Sequence, residues 1–363
     1  MIEQHNFTAI AAEFDIAGEF SGAIPYGSGH INDSYCVTFK HSGASSRFIL
    51  QRINHHIFQN PAALMDNIQR VTAHLAAKAA GQPDSARRVL TLIPARNGNT
   101  WHVDAQGNHW RMYRFIEGAH SYDTVESQQQ AFQAGKAFGH FQQLLVDLPP
   151  PRLHHTIPDF HHAPKRLAAL QNAAAADLAG RACSAQPEIA FALERKPITT
   201  ILLEAGLPER VTHNDTKINN VMLDDTTGEA ICVIDLDTVM QGLVPYDFGD
   251  MVRTTTSTAS EDERDLSLVA MQFPLYEALL RGYLASAASF LTTAEKELLA
   301  FSGKLITLEI GMRFLTDYLA GDTYFKVHRH GHNLDRCRTQ FKLVESMEQQ
   351  EERMRQLVST ISP

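Results

Sequence analysis

Apolar and polar positions change their period once along this chain, near residue 117. Before that point hydrophobic residues mostly alternate with polar ones. Ala23-Ile24-Pro25-Tyr26 and Ser34-Tyr35-Cys36-Val37-Thr38-Phe39 read as strands on either side of a loop, and Arg47-Phe48-Ile49-Leu50-Gln51-Arg52-Ile53 reads as a third. Val89-Leu90-Thr91-Leu92-Ile93 and Thr100-Trp101-His102-Val103 flank the turn signal Arg96-Asn97-Gly98-Asn99, and Trp110 to Ile116 follows as a further strand. Two helices interrupt the pattern. One spans 7–20 with Phe7, Ile10, Ala11, Phe14 and Ile16, and the other spans 61–80 with an apolar face at Leu64, Ile68, Val71 and Leu75.

Glu117-Gly118 breaks the last strand, and from Ser127 onward the period is helical. Phe132, Phe138, Phe141, Leu144 and Leu145 share a face that ends at Pro149-Pro150-Pro151. The Ala-rich tract 167–182 and the segment 187–205 continue the helical pattern. The stretch 294–320, closed by Gly321, is apolar nearly all round, which marks a buried helix, yet Glu309, Arg313 and Asp317 recur on one side of it. On an exposed helix those three are i,i+4 ion pairs; in a buried one they must be paired or face a cleft. A charged helix with a stripe at Phe341, Val344, Met347, Met354 and Leu357 covers 335–360.

Composition narrows the class. The 363 residues suffice for two compact lobes, and 44% hydrophobic with 20% charged residues is ordinary for a globular enzyme. A net charge of −9 argues against nucleic acid as a partner. With no run of about twenty apolar residues and no basic-then-apolar start, a cytoplasmic protein without membrane contact is expected. The four cysteines lie far apart, and the paired histidines His55-His56, His154-His155 and His161-His162 point in diverging directions. Neither set has the spacing of a transition-metal site.

The chemistry concentrates between Val211 and Asp250. His213, Asp215 and Asn220 form the pattern H-x-D-x-x-x-x-N, and fifteen residues later Asp235 closes the apolar run Ile231-Cys232-Val233-Ile234. That is the spacing of a phosphotransfer loop followed by a metal-binding carboxylate. Moving a phosphoryl group needs a carboxylate to orient and deprotonate the acceptor hydroxyl, here Asp215. It also needs hard oxygen ligands for Mg²⁺, here Asn220 and Asp235, with Asp237 as an additional ligand or a brace. Leu223 to Ala230 reads as a hairpin that returns Asn220 and Asp235 to one end of a ribbon. His213 is read as bracing the loop. Near the start, Gly27-Ser28-Gly29-His30-Ile31-Asn32-Asp33 offers two glycines, Gly27 and Gly29, which let backbone N–H groups approach phosphates.

These motifs together resemble the aminoglycoside phosphotransferase and choline kinase superfamily, over nearly the whole chain. THNDTKINNVM, IDLDTVM, FGD and SGKLITLEIGMRFLTDYLAGDTYF resemble its N-acetylhexosamine kinases in particular. The resemblance implies an α+β, two-lobed, protein-kinase-like fold, with an antiparallel sheet lobe over 1–117 and a mainly helical lobe over 118–363. ATP and Mg²⁺ are the implied cofactors. The implied reaction transfers the γ-phosphate to the anomeric hydroxyl of an amino sugar, GlcNAc or GalNAc, giving the sugar 1-phosphate. His30 and Asn32 would hang over the cleft near ATP or sugar, the Glu117 connection would hold adenine through its backbone, and Arg313 and Tyr324 would meet the sugar. Asp247 would tie down the catalytic loop. One departure stands out: the strand that ends in a phosphate-pairing lysine in common kinases ends here in Gln51-Arg52, and the next helix offers Asp66, Asn67 and Gln69 where a glutamate is expected. A Gln51–Asn67 contact, or Arg52 with Asp66, is the expected replacement. Two other readings compete: a kinase of a choline-like or aminoglycoside-like acceptor, and a catalytically silent nucleotide binder.

Overall fold

The computed structural model describes residues 5–27 and 31–361. Glu19–Pro25 (β1), Asp33–His41 (β2), Ala44–Ile53 (β3), Leu92–Ile93 (β4), His102–Val103 (β5) and His109–Arg114 (β6) form one antiparallel sheet. Its order is β1-β2-β3-β6, with β4 and β5 sharing the far edge of β6. In the β3–β6 register Gln51 lies opposite Arg111.

The first helix, Phe7–Ala12 (α1), is shorter than its apolar pattern, because Phe14 bridges to Ala95 and Gly18, at φ +108°, turns the chain into β1. Helix α2, Pro61–Ala79, starts where Asn60 accepts from Ala63 N at 3.1 Å and Pro61 fills the first turn. The segment expected as a strand at 89–93 keeps only β4. Ser85–Arg88 (α3) and the extended Val89 precede it.

After the connection at Glu117-Gly118 and the short Ala119–His120 (β7), the chain is mostly helical. It runs through Gln128–Leu145 (α4), Ala163–Ala176 (α5), Gln186–Glu194 (α6) and Ile201–Glu204 (α7). Helix α5 stops at Asp177, whose backbone is left-handed, and Pro197 sits in a tight 3₁₀ turn that separates α6 from α7. Arg210–Thr212 (β8), Val221–Asp224 (β9), Ala230–Val233 (β10) and Met240–Gly242 (β11) carry the chemistry-bearing stretch. Strand β9 pairs with β10 as the expected hairpin, and β8 pairs with β11.

Val244–Thr255 (α8), Phe273–Ala287 (α9), Thr293–Glu297 (α10), Leu299–Ala320 (α11) and His332–Thr360 (α12) complete the chain. Helices α4 and α9 cross with their backbones touching. A Cβ on Gly282 would lie 2.0 Å from the Phe132 carbonyl oxygen, and one on Gly135 would lie 2.3 Å from that of Leu279. Helix α11 is buried as its composition requires and packs on α8 and α12, which seats it beside the catalytic stretch. No helix among the described residues is long and apolar enough to cross a membrane.

Candidate active site

The β9–β10 hairpin brings the two ends of the motif together: Ile234 N donates to the Asn220 carbonyl at 2.9 Å. Before the hairpin, Asp247 on α8 holds the loop. Its Oδ1 accepts from Asn214 N at 2.7 Å, and its Oδ2 accepts from His213 N at 2.9 Å and Gln142 Nε2 at 2.7 Å. Burial raises the Asp247 carboxyl above its ordinary pKa, and these donors work against that rise. His213 is fully buried. Its Nδ1 accepts from Asp215 N at 3.3 Å, so Nε2 carries the proton and donates to the Ile234 carbonyl at 2.9 Å. Both ring nitrogens are spent on backbone, so His213 is a brace.

Two non-glycine residues in this stretch adopt left-handed backbone, Asn214 at φ 64° and Asp235 at φ 61°. Such conformations cost on the order of 1–3 kcal/mol and persist where surroundings impose them. Here they fall at Asp235 and at the residue before Asp215, two carboxylates that lie within electrostatic reach of each other. Asn220 Nδ2 donates to the Asp215 carbonyl at 2.8 Å and to its Oδ2 at 3.2 Å. Among the described residues no donor meets Asn220 Oδ1.

The electrostatics separate the carboxylates. Burial would raise the Asp215 pKa, but Lys217, with Nζ 3.2 Å from Oδ2, and His213 outweigh it and hold the carboxyl below its usual range. Asp235 is pushed up to about 6 by burial and by the Asp237 and Asp215 carboxylates, and no side-chain donor among the described residues meets it. A carboxylate left electrostatically underpaid in this way, beside an amide oxygen, fits a hard cation such as Mg²⁺. No set of three His, Cys, Asp or Glu among the described residues is arranged to hold a metal alone. That is compatible with an ion that takes few protein oxygens and fills the rest with phosphates and water.

Asp237 is occupied differently. Arg111 Nη1 donates to its Oδ1 at 2.5 Å and Asn32 Nδ2 to its Oδ2 at 2.6 Å. Asn32 therefore reaches the site through Asp237, with its Oδ1 accepting from Asn54 N, and its amide is engaged with protein. The expected replacements for the lysine–glutamate pair do not form. Gln51 Nε2 donates to Ser34 Oγ and its Oε1 accepts from Arg111 Nε at 3.0 Å, because these residues face each other across the sheet. Asn67 is turned instead onto the Val239 and His154 carbonyls, Arg52 pairs with Asp33, and Asp66 lies beside Arg70 and His154.

In the loop expected to approach the nucleotide, Gly27 has φ +81° and open space around it. Gly29 and His30 lie outside the described residues. The Glu117 carboxylate is bound to Arg47, whose guanidinium lies 3.9 Å over the Phe115 ring, with Tyr26 edge-on to Phe115. The neighbouring Gly118 carbonyl already accepts from Asp225 N and Arg87.

On the other side, Glu309, Arg313 and Asp317 do not pair with one another. Glu309 Oε1 meets His161 Nδ1 at 3.0 Å, and His161 Nε2 donates to the Asn214 carbonyl at 3.0 Å, tying α11 to the catalytic loop. Burial disfavours charge on His161, yet Glu309 and that carbonyl leave its pKa above the ordinary value. Asp317 caps the backbone N–H groups of Thr323, Tyr324 and Phe325. Arg313, one turn from Glu309, is partly buried with rings around it: Phe160 at 5.1 Å, Phe325 at 5.7 Å and Tyr324 at 5.9 Å. Among the described residues its guanidinium has no carboxylate partner. Nearby Arg166 has its pKa lowered by burial and by the Arg313 charge.

Sequence reasoning missed Arg111, Lys217 and His161. Lys217 stands inside the motif itself. Arg111 and His161 find their partners 126 and 148 positions away, a pairing no local pattern reveals.

This sheet, hairpin and helical half define a kinase-type phosphotransferase. Residues 22–285 match the profile of the phosphotransferase enzyme family, and the chain belongs to that family. Solved structures with the same fold include the microcompartment-associated aminopropanol kinase, at TM-score 0.58 and 16% identity over 96% of this chain and 97% of that one. A spectinomycin phosphotransferase in complex with ADP and spectinomycin aligns at TM-score 0.58 and 11% identity, over 92% and 94%. A choline/ethanolamine kinase family protein from Mesorhizobium loti aligns at 0.52 and 18%, over 96% and 98%.

Proposed function

We propose that this protein is an ATP- and Mg²⁺-dependent kinase of the anomeric hydroxyl of N-acetylhexosamines. In this reading residues 1–117 serve the nucleotide and residues 118–363 carry the catalytic loop and the acceptor site. Asp215 accepts the proton of the acceptor hydroxyl and orients it. An anomeric hydroxyl is more acidic than other sugar hydroxyls, so a carboxylate held ionised by Lys217 suffices as base. Asn220 and Asp235 would hold Mg²⁺, which when bound neutralises charge on the phosphates. Gly27 would approach the phosphates, Gly29 is assigned to them by its sequence alone, and the Glu117 backbone would hold the adenine.

The observation that carries the acceptor assignment is the Arg313 guanidinium, set among aromatic rings with no carboxylate partner among the described residues, on the same helix as Glu309, which His161 ties to Asn214 beside the proposed base. A cation there favours an acceptor with carbonyl and hydroxyl oxygens, such as an N-acetyl sugar. Tyr324 adds an exposed ring and hydroxyl for the same group, and His30 is assigned to that rim by resemblance alone.

An amino-alcohol acceptor, of the kind named for the aminopropanol and choline/ethanolamine enzymes, is the second reading. It needs free carboxylates. The acids on the helical side that act on Lys217, Asp250 and Glu261, are both paired with Arg253, and the neighbouring Asp262 is paired with Arg329. The retained Asp215, Asn220 and Asp235 count against a silent nucleotide binder. The test is ADP release from Mg-ATP with GlcNAc, GalNAc, glucose, galactose, choline and an aminoglycoside. Turnover confined to the N-acetyl sugars supports the assignment, and turnover on choline or the aminoglycoside overturns it.

A further inference from the structure

A kinase without the strand lysine must obtain positive charge in its sheet from elsewhere, and the sheet does contain one buried cation. Arg111 of β6 is 1% exposed and sits opposite Gln51, the residue at the expected lysine position. Its Nε is held by Gln51 Oε1, and Gln51 is held in turn by Ser34 of β2. Its Nη1 reaches out of the sheet to Asp237, two residues beyond Asp235 and in the same loop. The second oxygen of Asp237 is taken by Asn32, which is fixed by Asn54 N. Ser34, Gln51, Arg111, Asp237, Asn32 and Asn54 thus form one continuous network between the sheet and the loop that begins at Asp235. Helix α2 adds a neutral strut, with Asn67 donating to the carbonyl of Val239 at the end of that loop.

Two features distinguish this network from ordinary packing. Buried ion pairs seldom improve stability over apolar residues of the same size, so a fully buried Arg–Asp pair points to a positional role. Both Asp237 oxygens are also consumed, whereas Asp235, next to it, has no donor among the described residues. The carboxylate left available is the one the loop presents at φ 61°.

We propose that Arg111 is a positioning residue that takes the place of the absent strand lysine. By gripping Asp237 it fixes the Asp235 loop against the sheet, so that the Asp235 carboxylate meets the nucleotide's metal while Arg111 itself does not touch the nucleotide. This rests on the reading of the site as a Mg²⁺–nucleotide site. The residue that anchors the sheet's cation is then a carboxylate of the metal loop, in place of one on the first long helix.

The test is calorimetric titration of ADP into the full-length protein, with excess Mg²⁺ and separately with excess EDTA. The variants are Arg111→Met, Arg111→Lys and the double variant Arg111→Met/Asp237→Asn, which leaves no buried charge unpaired and guards against misfolding. For a group that orients a metal ligand, Arg111→Met is expected to weaken Mg-ADP binding by at least about tenfold and ADP binding in EDTA by less than about threefold. Arg111→Lys is expected to recover part of the loss, and the folded double variant to retain it. An unchanged Mg-ADP affinity in the folded double variant would overturn the proposal. So would an equal loss with and without Mg²⁺, which would make Arg111 a direct phosphate contact or a purely structural residue. If Mg²⁺ does not strengthen ADP binding to the wild-type protein, the reading of the site fails first and the proposal falls with it.

Discussion

The ammonium of Lys217 lies 3.2 Å from Oδ2 of Asp215. The same oxygen accepts from Asn220 Nδ2, so the proposed base is steered from two sides by residues two and five positions along the chain. Lys217 is also within electrostatic reach of Asp235, Asp250 and Glu261, and the carboxylates raise its pKa despite its burial. It therefore stays charged where negative charge would develop on a transferring phosphoryl group.

Lys217→Met is expected to lower kcat by on the order of 10²-fold, as removal of one preorganised electrostatic group does. Lys217→Arg should retain more activity than Lys217→Met. Steady-state kinetics with Asp215→Asn as the inactive reference checks this.

Arg313→Ala is expected to raise the KM for an N-acetylhexosamine by about 10- to 100-fold, the loss of one charge-assisted hydrogen bond of about 1.5–3 kcal/mol. The KM for ATP should stay within about twofold, because the proposed role of Arg313 is confined to the acceptor. Initial rates with each substrate varied in turn separate the two effects.

Replacing Asp247 by Ala leaves the N–H groups of His213 and Asn214 and the Gln142 amide without their buried acceptor. At about 1–3 kcal/mol for each orphaned donor, the variant should lose at least about 3 kcal/mol of stability and all measurable turnover. Urea denaturation gives the first quantity and ADP release the second.

The buried His161–Glu309 pair makes stability depend on pH with a defined sign. The folded-state pKa of His161 lies above its unfolded value, so the stabilisation is fully present below about pH 6.5 and is lost as the pH rises through the folded-state pKa. His161→Gln should flatten that part of the profile. Urea midpoints for wild type and variant across this range check it.

Much of the site was legible because its spacing is local. The run from Asn220 to Asp235 contains its own hairpin, and the apolar Ile231–Ile234 run fixes where the second carboxylate emerges. The alternation before Glu117 likewise foretold the sheet. What escaped depended on partners far away in sequence. Gln51 and Asn67 looked like a neutral substitute for an ion pair, but the β3–β6 register gives Gln51 to Arg111, and Asn67 is drawn to backbone carbonyls. The charges of α11 looked like an i,i+4 ladder or a cleft wall. They form no ladder: Glu309 answers to His161 before α5, Asp317 to the loop after α11, and Arg313 lies among the Phe160 and Tyr324 rings. Helix ends were misjudged where one residue decides them, as at Gly18, Asp177 and Pro197.

The most direct test of the central claim is the identity of the product. Incubation with Mg-ATP and GlcNAc or GalNAc, followed by ³¹P NMR, should show a phosphate coupled to the anomeric proton and labile to mild acid. Asp215→Asn should give none. A phosphate on any other hydroxyl, or no phosphorylated sugar from an enzyme that readily phosphorylates an amino alcohol, would contradict the account.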